Sequence, residues 1–160
     1  MELRDKLDDV GGVFTVEVIR DGKHGPEVIN RQEGHNLIVN TGKRQVWRMV
    51  TGLNTSLFRF MRIGTSGVAP NSANTNLISP VTGTRHTVDS RTLLAGTRTL
   101  QIVMSYPSGA GTKSATNIRE VVVLNQLTTP GGSALARGTF TAVNKTTSDK
   151  LKITYQCRIT

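Results

Sequence analysis

The block from His35 to Gly52 constrains the fold most, because it places one amphipathic helix in a chain whose other patterns indicate strands. The block opens with the apolar run Leu37–Val39, and Asn40-Thr41-Gly42 ends that predicted strand. Apolar residues then recur at the three- and four-residue spacing of one helix face, namely Val46, Trp47, Met49, Val50 and Leu53. We therefore predict a helix over about residues 43–52, with Thr41 capping its first turn and Gly52 closing its last one in a left-handed conformation.

Trp47 is the only tryptophan of the chain, and we predict that it anchors this helix in the core. Core packing would make Trp47 a structural residue. The alternative is an aromatic ring that stacks on a base or binds a partner, but no neighbouring residue favours that interpretation.

The rest of the chain shows the patterns of short strands separated by turns. Aromatic residues make up only 4% of the chain, whereas Thr, Val, Ile and Gly are plentiful, a mixture typical of β-structure. The segments predicted as strands are 13–20, 28–31, 59–63, 81–89, 91–106, 118–125, 135–143 and 151–160. About eight strands at this spacing predict a mainly β domain over residues 13–160, an antiparallel β-sandwich or a jelly-roll-like barrel.

Turn residues and hydrophobicity also predict how some strands pair. Residues 13–20 and 28–31 are expected to form a hairpin, 81–89 and 91–106 a pair around Asp89-Ser90, and 135–143 and 151–160 the last hairpin. Residues 118–125 are apolar on both faces, which predicts a central position in a sheet. The last strand has the clearest alternation, with inward residues Leu151, Ile153, Tyr155, Cys157 and Ile159.

Residues 1–12 form a predicted N-terminal arm. Leu3 and Leu7 could lie on one face of a helical turn, which Gly11-Gly12 would stop. Such arms usually fray, but in an assembly this one could order against a neighbour. The arm is charged and lacks the apolar core of a signal peptide, and no run of 18 apolar residues predicts a membrane span.

The sequence predicts neither a catalytic site nor a cofactor or metal site. His24, His35 and His86 lie far apart, without the close spacing of a metal pair. The segment Gly64-Thr-Ser-Gly67 lacks both the Lys-Ser/Thr ending of a P-loop and the spacing of a nucleophile elbow, so a structural turn is the better interpretation. We therefore expect a protein that is not an enzyme.

The net charge is +9, from 20 Lys and Arg against 11 Asp and Glu. The basic residues are scattered, without a basic run or the interleaved aromatic residues that single-strand binders use. We therefore do not expect nucleic-acid binding, and attraction to an acidic protein surface fits better.

Residues 64–80 are predicted to form a long polar loop, and a loop of that length in a compact domain is more often a binding surface than an idle connection. Val68, Asn71 and Asn74 of this loop are candidate interface residues, together with Leu3 and Leu7 of the arm. The predicted structural residues are Trp47, Gly42, Gly64, Gly67 and Pro70.

Three segments resemble a pattern found in small structural proteins of tailed-bacteriophage virions. His35-Asn-Leu-Ile-Val-Asn-Thr-Gly42 is similar to an N-x-V-V-N-x-G opening. The segment from Met61 to Leu77 looks like I-G-T-G-x-x-A-P-x-x-x-D-T-x-L, with Asn74 where Asp is commoner. Asn117-Ile-Arg-Glu-Val-Val-Val-Leu-Asn125, followed by Leu135-Ala-Arg-Gly-Thr-Phe140, Lys145 and Leu151-Lys-Ile-Thr-Tyr155, is similar to I-R-E-I-G-L-F and its sequel L-x-A-R-x-x-F…K…L-x-I-x-W.

The resemblance implies a β-sandwich virion component, assembled in the host cytoplasm, that works by packing against other virion proteins. Related patterns occur in tail-collar and tail-fibre proteins as well as in other small virion proteins. A short single-domain chain suits a decoration (cement) subunit on the capsid, in many copies and as a homo-oligomer. The alternative is a tail component, such as a baseplate, collar or tail-fibre module involved in host attachment.

Overall fold

Nine strands and one helix follow one another in the computed structural model, which describes residues 11–109, 114–128 and 132–158. The order of the elements is β1 (Gly11–Gly22), β2 (Gly25–Ile38), α1 (Asn40–Val50), β3 (Phe60–Gly64), β4 (His86–Thr87), β5 (Ser90–Leu93), β6 (Thr99–Tyr106), β7 (Ala115–Leu124), β8 (Ala134–Lys145) and β9 (Asp149–Arg158). Gly11 and Gly12 therefore belong to β1 rather than to the arm, and Leu3 and Leu7 lie outside the described residues.

The strands form two antiparallel sheets that share β2. The first sheet has the order β2-β1-β9-β6-β5 and the second β4-β3-β7-β8-β2. The long strand β2 pairs with β1 up to His35 and then with β8 over Asn36–Ile38. At this change of sheet, a Cβ on Gly34 would collide with the Thr139 carbonyl of β8, so the close approach requires glycine. The predicted mainly β sandwich with one helix is confirmed.

The sandwich core follows from strict alternation along the strands of the first sheet. Phe14, Val16 and Val18 of β1 are buried, as the sequence predicted. The Phe14 ring stacks on Tyr155 of β9 with 4.6 Å between the ring centroids. The same alternation buries Leu151, Ile153, Tyr155 and Cys157 on β9 and Ile102, Met104 and Tyr106 on β6. Ile159 lies outside the described residues.

Strand β7 is buried on both faces, which confirms its predicted central position. Val121 and Val123 face the sandwich core, whereas Val122 and Leu124 belong to a second apolar cluster. That cluster lies on the outer face of the second sheet, because side chains alternate across a strand. Its other members are Val39, Phe60, Leu77 and Ala134.

Helix α1 begins at Asn40, three residues earlier than predicted, with Val39 as its N-cap. The predicted Thr41 cap is wrong, because the Thr41 hydroxyl donates to the Ala134 carbonyl instead. The helix ends at Val50, two residues before the predicted end. The predicted left-handed conformation of Gly52 is confirmed, since its φ is 72° and its N–H donates to the Met49 carbonyl.

The prediction that Trp47 anchors the helix in the core is wrong. Trp47 is 40% exposed, while Gly42 and Gln45 are buried and Val46 packs against the core from a half-buried position. A Cβ on Gly42 would collide with the backbone of Leu135 in β8. The helix therefore approaches the sheet through its glycine, and this contact turns Trp47 away from the core.

Two of the three predicted pairings are wrong, and the β1–β2 hairpin is confirmed. Only His86–Thr87 of residues 81–89 forms a strand, and β5 pairs with β6 across a turn at residues 94–98. Strands β8 and β9 do not pair with each other, because β8 lies between β7 and β2 while β9 lies between β1 and β6. The chain therefore crosses between the two sheets at residues 146–148.

Asp149 holds that crossing in place. Its carboxylate accepts hydrogen bonds from the Thr146 N–H at 2.8 Å and the Thr146 hydroxyl at 2.6 Å. It also accepts one from the Arg20 Nε of β1 at 2.7 Å. The hydrogen bond from Arg20 is the largest cause that lowers the pKa of Asp149 well below its usual range. The same side chain thus closes the turn and ties the start of β9 to β1.

Candidate functional site

The connection after β3 lies against the outer face of the second sheet. Residues 65–79, called here the 65–79 loop, run from the end of β3 to an isolated bridge between Gly64 and Pro80. Leu77 of the loop is buried in the outer apolar cluster with Val122 and Leu124. The Asn40 N–H at the start of α1 donates to the Ser72 carbonyl at 2.8 Å, which ties the loop to the helix.

A buried ion pair between Glu120 of β7 and Arg137 of β8 lies under this loop. Both side chains have 0% exposure, and the Arg137 Nη2 and Nε donate to the Glu120 Oε2 at 2.7 and 2.9 Å. Arg137 pairs across the strands with Val122, so Glu120 is its diagonal neighbour on the same face. The regular pairing of the two strands from Glu120 to Val123 therefore brings the two charges together.

The guanidinium of Arg137 also binds the loop itself. Its Nη2 donates to the Val68 carbonyl at 2.9 Å, and its Nη1 donates to the Ala69 carbonyl at 3.3 Å and the Asn74 Oδ1 at 3.2 Å. With the two bonds to Glu120, all three nitrogens of the planar fork are engaged, which matches the five N–H donors of an arginine. A lysine has three donors on a single nitrogen and could not reproduce this arrangement.

The carboxylate of Glu120 binds the two ends of the loop. Its Oε1 accepts from the Ser66 N–H at 3.3 Å and the Ser79 N–H at 2.8 Å, and its Oε2 accepts from the Ile78 N–H at 3.1 Å. A Cβ on Gly64 would collide with this carboxylate and with the Ser79 carbonyl, so the glycine leaves room for the contact. One carboxylate thus fixes the points where the loop leaves the sheet and returns to it.

The tip of the loop is held by its own side chains. The Asn71 Oδ1 accepts from the Ala73 N–H and the Asn74 Oδ1 from the Asn71 N–H, both at 2.8 Å. These are the local turns that Asn residues form with nearby backbone. Ser66 adds a similar bond, accepting from the Val68 N–H at 3.2 Å.

The predicted interface residues of the loop differ in their surroundings. Val68 is 59% exposed and Asn71 is exposed, so both side chains are accessible to a partner. Asn74 is half-buried, and its carbonyl oxygen is used inside the fold. Of the predicted structural residues here, Pro70 is half-buried, and the exposed Gly67 has no contact that requires glycine.

Sequence reasoning missed Glu120 and Arg137 as a pair. The available signal was a charge of each sign beside an apolar run, with Glu120 directly before Val121–Leu124 and Arg137 directly after Ala134–Ala136. The three segments that carry the resemblance meet at the 65–79 loop, under which the pair lies. Residues 61–77 supply the loop, 117–125 and 135–140 supply the two charges, and 35–42 supply the hydrogen bond from Asn40.

The arrangement is suited to holding a surface in one shape rather than to chemistry. The site's carboxylate is covered and satisfied by internal donors, so it has no free face to bind a substrate. Within the described part of the chain, no three His, Cys, Asp or Glu side chains are grouped closely enough to hold a metal ion. None of the helices in that part has the length and apolar character needed to cross a membrane.

Comparison of the chain with protein-family models, curated proteins and solved structures finds no match. The resemblance to phage virion proteins therefore rests on the three sequence segments alone, and their meeting at the 65–79 loop is the structural observation that goes with it.

Proposed function

We propose that this chain is a non-enzymatic structural protein of a tailed-bacteriophage virion, which packs on the capsid as a decoration subunit. The observation that supports the proposal is the convergence of the three resembling segments on the 65–79 loop, which the Glu120–Arg137 pair binds from below and Asn40 binds at Ser72. That convergence explains why those segments would recur together, because they build one feature, a loop held rigidly on the face of a sheet.

A rigid loop is well suited to binding a neighbouring subunit. Binding is weakened by the conformational entropy that a mobile loop loses, and a loop already fixed by hydrogen bonds avoids most of this loss. The 65–79 loop presents apolar side chains among polar ones, since Val68 and Ile78 are exposed beside Asn71 and Ser72. This composition resembles the mixed apolar and polar character of ordinary protein interfaces.

The charge of the protein agrees with an acidic partner. The net charge of +9 comes from scattered basic residues rather than a nucleic-acid-binding stripe. A capsid surface that is acidic would attract such a subunit from solution. Many copies with modest contacts each, beside other copies of the same chain, would give a stable shell through multivalency.

Binding to particles stripped of this protein tests the role of the loop. Val68→Asp places a negative charge on the loop surface, and Val28→Asp places the same charge on β2, at a residue of similar exposure (52% against 59%). We expect Val68→Asp to weaken co-sedimentation with the particles at least about tenfold, a loss of about 1.4 kcal/mol. Val28→Asp should bind like the parent chain, and equal binding of both variants would refute the loop as the contact.

The number of copies per purified particle tests the location. Quantitative mass spectrometry against the major capsid protein should give hundreds of copies if the protein decorates the head. A handful of copies, in multiples of three or six, would instead identify a tail component and overturn the decoration role.

A further inference from the structure

Helix α1 has an apolar face that the described part of the chain leaves uncovered. Trp47 is 40% exposed, Val50 is 72% exposed, and Leu53, just beyond the helix, is 73% exposed. Trp47 and Val50 are three residues apart and therefore neighbours on the helix surface. We call these three residues the α1 apolar face. Adjacent large apolar side chains left in water usually mark a binding surface.

Basic side chains flank this face. Arg44 and Arg48 are exposed, lie one helical turn apart and line a cleft with Thr41, Gln45 and Ser133. Neither arginine forms a salt bridge with a carboxylate among residues 11–109, 114–128 and 132–158. The surface therefore fits a segment that combines apolar residues with acidic ones.

The chain itself contains such a segment in residues 1–10, which lie outside the described residues. Leu3 and Leu7 are four residues apart, a spacing that puts both side chains on one face of an extended segment as well as of a helical turn. The segment has four carboxylates and two basic side chains, namely Glu2, Asp5, Asp8 and Asp9 against Arg4 and Lys6. It is thus acidic in a chain that is otherwise strongly basic.

The point of attachment lies close to the helix. Strand β1 begins at Gly11, and a Cβ on Gly12 would collide with the Asn36 side chain of β2. Asn36 is only four residues before Asn40, where α1 begins. Ten extended residues span about 33 Å, whereas an eleven-residue helix is only about 16 Å long. Residues 1–10 can therefore reach Trp47 of the same chain.

We propose that residues 1–10 dock on the α1 apolar face of their own chain. Leu3 and Leu7 cover Trp47 and Val50, and the carboxylates of the segment face Arg44 and Arg48. The surface is separate from the 65–79 loop, so the inference does not depend on the proposed virion function.

The single tryptophan makes the docking measurable by fluorescence. Removing residues 1–10 leaves β1 to begin at its first residue, Gly11, so the sandwich should be retained, as circular dichroism would verify. We expect the emission of Trp47 to shift to longer wavelength and its quenching by acrylamide to increase. The full-length double variant Leu3→Ser with Leu7→Ser should show the same two changes, because it keeps length and charge but loses the apolar contact.

A charge exchange tests the acidic half of the contact. Arg44→Glu with Arg48→Glu should expose Trp47 to acrylamide in the full-length chain, and adding Glu2→Lys and Asp5→Lys should restore the protection. The protection in the parent chain should be independent of protein concentration. Equal quenching in the full-length and shortened chains would overturn the proposal. Protection lost on dilution would overturn it as well, because it would indicate exchange of the segment between copies.

Discussion

Replacing Arg137 with methionine tests the buried pair directly, because methionine keeps a long apolar stem and removes the charge. The variant leaves the Glu120 carboxylate at 0% exposure without its cation. Removing one partner of a buried ion pair costs about 3–5 kcal/mol, since the remaining charge is buried and uncompensated. The carbonyls of Val68 and Ala69 belong to exposed residues and can turn to water, so they should add little to this cost.

Urea unfolding followed by circular dichroism measures this loss. With a slope of about 2 kcal/mol per M, the midpoint should fall by about 1.5–2.5 M. The loss is a large part of the stability of a typical domain, about 5–15 kcal/mol. Arg137→Lys keeps the positive charge but loses the planar set of guanidinium donors, so its urea midpoint should lie between those of the parent chain and Arg137→Met.

Hydrogen exchange distinguishes a loss at the loop from a general weakening. The Ser79 N–H donates to Glu120 at 2.8 Å, so its exchange should accelerate more than that of the β9 amides. The double variant Glu120→Leu with Arg137→Met should recover part of the stability, because no unpaired charge remains, yet the Ser79 amide should still exchange fast. A midpoint lowered by less than about 0.5 M in Arg137→Met would refute the reasoning, as would unchanged exchange at Ser79.

Three further predictions concern other parts of the fold. Because the hydrogen bond from Arg20 holds the pKa of Asp149 low, the carboxylate stabilises the fold above about pH 4 and loses this effect as the pH falls further. Asp149→Asn should therefore be less stable than the parent chain by about 1.5–3 kcal/mol at pH 7. This difference in the free energy of unfolding should close when unfolding is measured at increasingly acidic pH. Gly42→Ala should lower the free energy of unfolding in urea by about 1–3 kcal/mol, because its methyl group would meet the β8 backbone. The control Gly11→Ala has open space around the added methyl group, so it should change stability by less than about 0.5 kcal/mol. Burial raises the pKa of the Cys157 thiol, so a thiol reagent should modify the native chain far more slowly than the urea-unfolded chain, and similar rates would contradict the structure.

The sequence predicted which way side chains point more reliably than which strands pair. On β9, the alternation from Leu151 to Cys157 reports burial directly, because one face of the strand meets the core. The run Val121–Leu124 likewise indicated a strand covered on both faces. The pairing of strands depends on which sheet the chain enters after each turn. The short turn before β9 led to the prediction of a hairpin between β8 and β9. The bonds from Arg20 and Thr146 to Asp149 carry the chain to the other sheet instead.

The helix shows the same limit. Its apolar residues form one wide face, so periodicity found the helix but did not decide which part of that face meets the sheet. The largest apolar residue, Trp47, suggested one side, whereas the contact of Gly42 with Leu135 selects another. Gln45 is buried even though it is polar, because its amide binds the Ser56 carbonyl and Asn54 after the helix. A contact between distant segments, such as that of Gly42 with Leu135, leaves no local pattern in the sequence.

The Glu120–Arg137 pair is better explained by the loop than by stability. In an ordinary sheet, apolar side chains of similar size would stabilise the fold as well as a buried ion pair or better. Here each charge also binds backbone groups of the 65–79 loop, and Leu or Met could supply neither the acceptor for the Ser66 and Ser79 amides nor the donors for the Val68 carbonyl. The pair therefore fixes the shape of an exposed segment, and a fixed exposed shape matters only where something else must fit it. This is the physical reason why we propose the loop as the interface.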